Sequence, residues 1–156
     1  IYTLPVGLAG IEVYDLLRDE YDIQAEFGDI GNLLAYVSVG DRAKDIERLV
    51  SALAEIRRNY KKDHKGMLEA EYISPKVMCG PQDAFYSEKV SLPLDESCGK
   101  VCSEFVMCYP PGIPILAPGE LITPEILEYI HYAKDKGCSM TGPEDMEIKR
   151  LNVIKE

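Results

Sequence analysis

Apolar residues recur at helical spacing in two stretches near the beginning of the chain. The first stretch, GIEVYDLLRDEYD at residues 10–22, predicts a helix of about three turns. Its apolar positions are Ile11, Val13, Tyr14, Leu17 and Tyr21. A second, longer amphipathic helix is predicted after Gly40, with Asp41 as its N-cap. Its buried stripe is expected to consist of Ile46, Leu49, Val50, Leu53 and Ile56.

Shorter apolar runs around these helices predict strands at residues 1–6, 22–27 and 33–39. The run LLAYVSV at 33–39 is rich in β-branched and aromatic residues, which is typical of a buried strand. Between the last two runs, GDIGN predicts a turn in which glycines adopt positive φ and polar side chains bond to the local backbone. Those residues are Gly28, Gly31, Asp29 and Asn32. Residues 1–62 are therefore expected to form a small layered domain with its helices on one face of a mostly antiparallel sheet.

The remainder, residues 63–156, is less regular and is interpreted as a second small α/β domain. Its predicted elements are a short helix at 82–86, an edge strand at 89–94 broken by Pro93, and strands at 99–110 and 148–155. A helix in LITPEILEYIHYAKDKG carries the clearest local signals. Thr123 is its N-cap, Pro124 its first helical residue and Gly137 the residue just past its end. The predicted fold class is α+β.

Charge and cysteine content narrow the classes of partner. The net charge of −10 and the pI near 4.7 argue against nucleic-acid binding, which needs clustered Lys and Arg. The sequence contains no run of about 18 apolar residues, so no membrane span is predicted. Five cysteines without a repeating spacing indicate reduced thiols in a cytoplasmic protein, and without a CxxC pair they do not favour a zinc site.

The segment CYPPGIPILAPGE, residues 108–120, is the best candidate for chemistry. Its prolines hold φ near −65°, so the loop is rigid enough to aim its last side chain, Glu120, at a cationic ligand group. Glu120 can equally favour the positive N-terminus of the following helix. Tyr109 suits packing and pocket lining about equally. The two histidines, His64 and His131, specify no reaction by themselves.

These residues carry a family resemblance. SEFVMCYPPGIPILAPGELIT, residues 103–123, resembles the C-terminal region of the ornithine, lysine and arginine decarboxylases of the aminotransferase-like fold, of which YPPGIP and a following PGE are hallmarks. Residues 7–41 resemble the small-domain segment that precedes that region, and TGPED at 141–145 also fits. The resemblance covers nearly the whole chain in the right order.

The resemblance implies a pyridoxal-phosphate enzyme that removes the α-carboxyl group of a basic amino acid, with the cofactor as electron sink. In that family the Schiff-base lysine, the pyridine-pairing aspartate and the ring-stacking histidine belong to a large domain earlier in the chain. The pair His64-Lys65 resembles the family's cofactor lysine only superficially, because it lies in a charged linker. This chain is therefore expected to be a C-terminal portion with no catalytic residue, no bound cofactor and no activity alone.

By position, the resemblance makes Glu120 the substrate contact, and Tyr109, Pro111 and Gly112 would shape the same wall. Asp29 and Asn32 are weaker candidates that fit turn formation better. A basic amino acid, the missing cofactor-binding domain and further copies in a homo-oligomer are the expected partners, and the choice among arginine, lysine and ornithine stays open. The alternatives are a stand-alone module for polyamine sensing or oligomerisation, and an inactive aminotransferase-fold relative.

Overall fold

The computed structural model describes residues 1–63, 73–109 and 112–155. The chain separates into two compact units, Ile1–Ala70 and Glu71–Glu156. Every strand pairing in the described ranges is antiparallel, and the fold class is α+β, as predicted. No helix in those ranges has the length and apolar character that a bilayer span requires.

In the first unit, residues 1–63 form two helices and a short strand pair. Its elements are a 3-10 turn at Leu4–Val6, α1 at Gly10–Tyr21, β1 at Phe27–Gly28, β2 at Leu33–Leu34 and α2 at Ala43–Tyr60. β1 pairs with β2, with Phe27 opposite Leu34. Buried side chains from both helices and from β2 form one core, which comprises Leu8, Val13, Leu17, Ala25, Leu33, Ala52 and Ile56. Both predicted helices are confirmed.

The predicted strands of this unit are much shorter than expected. Only residues 1–3 of the run 1–6 pair, because the chain then turns at Pro5 and Gly7 donates back to the Leu4 carbonyl at 2.8 Å. The prediction of a buried strand at 33–39 is wrong beyond Leu34, since Tyr36 and Val37 are 80% and 60% exposed. The run 22–27 joins the ladder only at Phe27, because Asp22 takes a left-handed conformation that ends α1.

Two details of α2 also differ from expectation. Val50 is exposed, and Ala52 takes its place in the stripe that faces the core. Asp41 is not the N-cap, which is Arg42. The Asp41 carboxylate instead accepts hydrogen bonds from the Ser38 amide and hydroxyl, at 2.6 and 3.0 Å.

The GDIGN turn forms as predicted, but its glycines serve another purpose. Asp29 Oδ1 accepts bonds from the amides of Gly31 and Asn32 at 2.8 and 2.6 Å, so Asp29 is a turn former. Neither Gly28 nor Gly31 has a positive φ. A Cβ atom on Gly28 would lie 2.3 Å from the Gly10 carbonyl oxygen, so Gly28 is needed for the close approach of the turn to α1.

The described residues of the second unit form two helices and five strands. They are α3 at Pro81–Tyr86, β3 at Lys89–Pro93, β4 at Val106–Tyr109, β5 at Ile113–Leu116, α4 at Pro124–Asp135, β6 at Ser139–Thr141 and β7 at Arg150–Ile154, with a 3-10 turn at Leu94–Ser97. β3 pairs with β7, and β4 lies between β5 and β6. The long strand predicted at 99–110 is confined to β4, although Val101 and Cys102 make isolated bridges.

Helix α4 confirms its local signals. The Thr123 hydroxyl accepts a bond from the Ile126 amide at 3.4 Å, Pro124 is the first helical residue, and Gly137 takes a φ of +81° just beyond the end. The α4 residues Ile126 and Ile130 are buried. The predicted short helix at 82–86 and the predicted last strand at 148–155 are also present, as α3 and β7.

Candidate substrate-binding site

Glu120 lies in a tight turn that its own side chain closes. The Ala117 amide donates to Glu120 Oε2 at 2.9 Å, and the Glu120 amide donates to the Ala117 carbonyl at 3.2 Å. Gly119 has a φ of +90°, and a Cβ atom there would lie 2.4 Å from the Cys79 carbonyl oxygen. Glycine is therefore required at position 119 by both conformation and space.

Backbone hydrogen bonds hold this turn on two sides. On one side, the amides of Met78 and Cys79 donate to the Gly119 carbonyl at 2.8 and 3.3 Å. On the other side, the Cys102 amide donates to the Glu120 carbonyl and the Gly119 amide donates to the Cys102 carbonyl, at 2.9 and 2.8 Å. The backbone that carries the Glu120 carboxylate is consequently well fixed.

The Glu120 carboxylate is half-buried and only partly engaged. Oε2 accepts the Ala117 bond, whereas Oε1 has no hydrogen-bond partner among the residues that the structure describes. A fixed carboxylate with one available oxygen can accept a charge-assisted hydrogen bond from an ammonium or guanidinium group. The geometry is therefore compatible with the cation contact that the sequence predicts, although the bond to Ala117 gives Glu120 a structural role as well.

Tyr109 and Gly112 lie together at the tip of the β4–β5 hairpin. The Gly112 amide donates to the Cys108 carbonyl at 2.8 Å, Gly112 has a φ of +89°, and the Tyr109 ring is more than half exposed. Pro111, the remaining predicted wall residue, lies outside the described residues. Tyr109 and Gly112 are thus neighbours at the closed end of the hairpin.

The hairpin separates these two residues from Glu120. Val106 lies opposite Leu116 and Cys108 opposite Ile113, so β5 runs away from the tip along its whole length. At about 3.4 Å per residue, Leu116 is roughly 13 Å from Gly112, and Glu120 follows beyond Leu116. The structure therefore places Glu120 at the open end of the hairpin and does not bring it into contact with the tip.

The comparisons with known proteins fit this arrangement of motifs. The model of the family described as Orn/Lys/Arg decarboxylase, C-terminal domain, matches residues 63–146. The chain belongs to this family. Arginine decarboxylase of Bacillus subtilis is 40% identical over 154 residues, which are 97% of this chain and 31% of the relative. Lysine decarboxylase of Hafnia alvei is 33% identical over 85 residues, 50% of this chain and 12% of the relative.

A solved structure of the decarboxylase group shares the fold. The crystal structure of the Francisella novicida lysine decarboxylase matches with a TM-score of 0.67 at 23% identity, over 94% of this chain and 28% of that one. At this identity the likeness shows the fold alone. The chain spans about a third of the length of the Bacillus subtilis relative.

The segment 103–123 also contains a buried acid, Glu104, that was not predicted as a site residue. Glu104 is only 6% exposed, and its carboxylate accepts bonds from the Asn152 amide at 2.7 Å, from Asn152 Nδ2 at 3.2 Å and from the Glu144 amide at 3.1 Å. It therefore ties the base of the β4 hairpin to β7 and to the TGPED turn. The sequence does contain an indication of this role, because Glu104 is an acid within an apolar run that predicts a strand. A charged side chain that is buried in such a strand needs hydrogen-bond partners.

A second acid organises the chain after TGPED. The Asp145 carboxylate accepts bonds from the amides of Glu147, Lys149 and Arg150, at 3.1, 2.9 and 3.0 Å. Partial desolvation alone would raise the pKa of Asp145, but these hydrogen bonds outweigh it and hold that pKa below its ordinary value. Asp145 is thus a structural residue of the turn that leads into β7.

One cavity of the first unit is lined by several acids, which do not suit a phosphate-bearing cofactor. A cavity of about 340 Å³ in the first unit includes Lys62, but four carboxylates share its lining, from Glu12, Asp15, Asp19 and Glu20. Lys62 Nζ already pairs with Glu12 Oε1 at 2.9 Å. Such a cavity repels an anion, so it does not fit pyridoxal phosphate. His64 and Lys65 lie outside the described residues.

Proposed function

We propose that this chain is the C-terminal portion of a pyridoxal-phosphate-dependent decarboxylase of a basic amino acid. The observation that carries the proposal is the 40% identity to an arginine decarboxylase over 97% of the chain. The cofactor supplies the electron sink for loss of the α-carboxyl group. Cofactor binding and the catalytic lysine belong to the larger remainder of the enzyme, as the family resemblance implies, and the acid-lined cavity around Lys62 agrees with this assignment.

Arginine is the substrate to test first. The match to arginine decarboxylase extends over nearly the whole chain, whereas the match to the Hafnia alvei lysine decarboxylase covers half of it. Lysine and ornithine are the necessary comparisons, since all three substrates end in a cation. We also propose that the enzyme is a homo-oligomer and that it is cytoplasmic. The cytoplasmic location is supported by the five cysteines, which form no disulfide in the described residues.

Within this function, Glu120 receives the distal cationic group of the substrate. Support comes from a backbone held on both sides and from a half-buried carboxylate whose Oε1 has no partner in the described ranges. A guanidinium or ammonium group would bond to Oε1 while the Ala117 amide keeps Oε2 in place. Tyr109 and Gly112 form a separate part of the substrate's surroundings, and Pro111 is proposed as a wall residue by its position in the motif alone.

The experiment is decarboxylation by the full-length gene product. Carbon dioxide release from arginine, lysine and ornithine is measured with pyridoxal phosphate present, and release from at least one of them is expected. No release from any of the three would refute the proposed function.

The Glu120 assignment has its own test in the same enzyme. Glu120→Gln keeps a carbonyl oxygen for the Ala117 amide and removes the charge, so KM should rise roughly tenfold to a hundredfold with little loss of stability. Glu128→Gln, a change of an exposed glutamate on α4, is the matched control and should leave KM unchanged. If Glu120→Gln leaves KM unchanged while Glu120→Ala lowers stability, Glu120 serves the turn and not the substrate.

A further inference from the structure

The first three residues of the chain form an antiparallel ladder with the segment before β2. The Ile1 nitrogen donates to the Leu33 carbonyl and the Leu33 amide donates to the Ile1 carbonyl, both at 2.8 Å. Tyr2 bridges Asn32, and the Thr3 amide donates to the Gly31 carbonyl at 2.9 Å. The register is therefore continuous, with Ile1 opposite Leu33, Tyr2 opposite Asn32 and Thr3 opposite Gly31.

The direction of this ladder leads along an unpaired segment. In an antiparallel pair, residues before Ile1 run beside residues after Leu33. By the same register, the first residue before Ile1 faces Leu34, the third faces Tyr36 and the fourth faces Val37. The segment at 34–39 is the one that the sequence predicts to be a strand and that the structure leaves exposed after Leu34.

The backbone groups on this side of the segment are available. Leu33 directs both its amide and its carbonyl to Ile1, whereas Leu34 directs its carbonyl to the Glu26 amide on the other side. The alternation of a strand then turns the Ala35 and Val37 amides toward the Ile1 side. Neither amide has a hydrogen-bond partner among the residues that the structure describes.

The side chains of the segment also favour an added strand. Tyr36, Val37 and Val39 are exposed, and an aromatic and two β-branched residues in four positions have high strand propensity. An exposed apolar strand with unpaired backbone groups is the template to which a further strand adds. These residues therefore have the composition and the free edge of an inner strand that lacks one neighbour.

We propose that the four or so residues immediately before Ile1 in the full-length enzyme form a β-strand that pairs antiparallel with residues 34–37, up to the turn at Val39 and Gly40, in the register set by Ile1 and Leu33. This inference rests on the proposed function, because it needs the longer polypeptide that the function implies. The added strand extends the Ile1–Thr3 ladder without a break and gives the Ala35 and Val37 amides their acceptors. It joins the first unit to the preceding part of the enzyme through a continuous strand.

The register can be tested by crosslinking in the full-length enzyme with Cys98→Ser, which removes an exposed thiol. Tyr36 and the third residue before Ile1 form a non-hydrogen-bonded pair, whose Cα separation of about 4.5 Å permits a disulfide. Tyr36→Cys with cysteine at that third position should therefore crosslink under mild oxidation. Moving the second cysteine to the fourth position points it to the opposite face of the sheet, so crosslinking should fall at least about tenfold.

Hydrogen–deuterium exchange of the full-length enzyme provides a second measurement. The Ala35 and Val37 amides should exchange roughly a hundredfold or more slowly than in a free loop. Val37→Pro removes one of these donors and should release the protection of 34–37. Tyr36→Pro, whose amide faces the other side of the segment, is the matched control and should release much less.

Three results would overturn the inference. They are exchange of the Ala35 and Val37 amides at the rate of a free loop, equal crosslinking in both registers, and protection that rises with protein concentration, which indicates pairing with a second copy. Each is separable from the proposed function. An active decarboxylase with an unprotected segment refutes only the added strand, and a protected segment in an inactive protein refutes only the function.

Discussion

The buried carboxylate of Glu104 allows the sharpest prediction of stability. Glu104→Ala removes the acceptor for the Asn152 and Glu144 amides, which the surrounding side chains cannot replace. Asn152 Nδ2 loses one bond but keeps its bond to Glu144 Oε2 at 2.9 Å. The change therefore leaves two backbone donors without their partner.

The magnitude follows from these contacts. Each orphaned donor costs about 1–3 kcal/mol, so the two backbone donors together cost about 2–6 kcal/mol. We expect Glu104→Ala to lower the free energy of unfolding of the second unit by about 2–6 kcal/mol. That is a large part of the stability of an ordinary domain, which is about 5–15 kcal/mol.

Urea denaturation followed by circular dichroism measures the loss, and exchange of the Asn152 amide locates it. Glu128→Ala on the exposed face of α4 is the control and should change stability by no more than about 0.5 kcal/mol. A loss below about 1 kcal/mol for Glu104→Ala would refute the reasoning, because it would mean that water replaces the carboxylate at little cost.

Two further substitutions test the turns of the second unit. Gly119→Ala should lower the free energy of unfolding by about 1–2 kcal/mol for its positive φ, and further for the clash with the Cys79 carbonyl. The control Gly99→Ala, at φ +78° with open space around it, should show only the first cost. Equal losses of stability in denaturation would contradict the clash. Because the folded-state pKa of Asp145 is lowered, its stabilisation is present above the unfolded pKa near 4 and is lost as the pH falls through the folded value. Asp145→Asn should therefore destabilise more at pH 7 than at pH 3. The exposed control Asp135→Asn should show no such difference, and a loss that does not depend on pH would contradict this assignment.

The positions and ends of the helices could largely be predicted from the sequence. Helix α4 begins and ends where Thr123, Pro124 and Gly137 indicate, because caps and prolines act within one turn of their own position. The extent of the strands could not. The run 33–39 has strand composition throughout, yet it pairs only at its beginning, because a strand exists only where a second segment supplies hydrogen bonds.

The candidate site could likewise be predicted only in part from the sequence. The proline-framed motif indicated Glu120 and the decarboxylase family, since rigid backbone and an acid are local properties of the sequence. Its separation from Tyr109 and Gly112 depends on the length and register of the β4–β5 hairpin, which the motif alone did not reveal.

The sequence by itself determined the helices, the α+β class and the family, because these depend on neighbouring residues and on motifs that are contiguous in the chain. Only the tertiary structure decided that Glu104 is a buried anchor, since its partner Asn152 lies 48 residues away. The need for glycine at position 119 likewise comes from the Cys79 carbonyl. Burial and close approach depend on contacts between segments that are distant in the sequence. The local sequence of one segment does not specify which other segment will contact it.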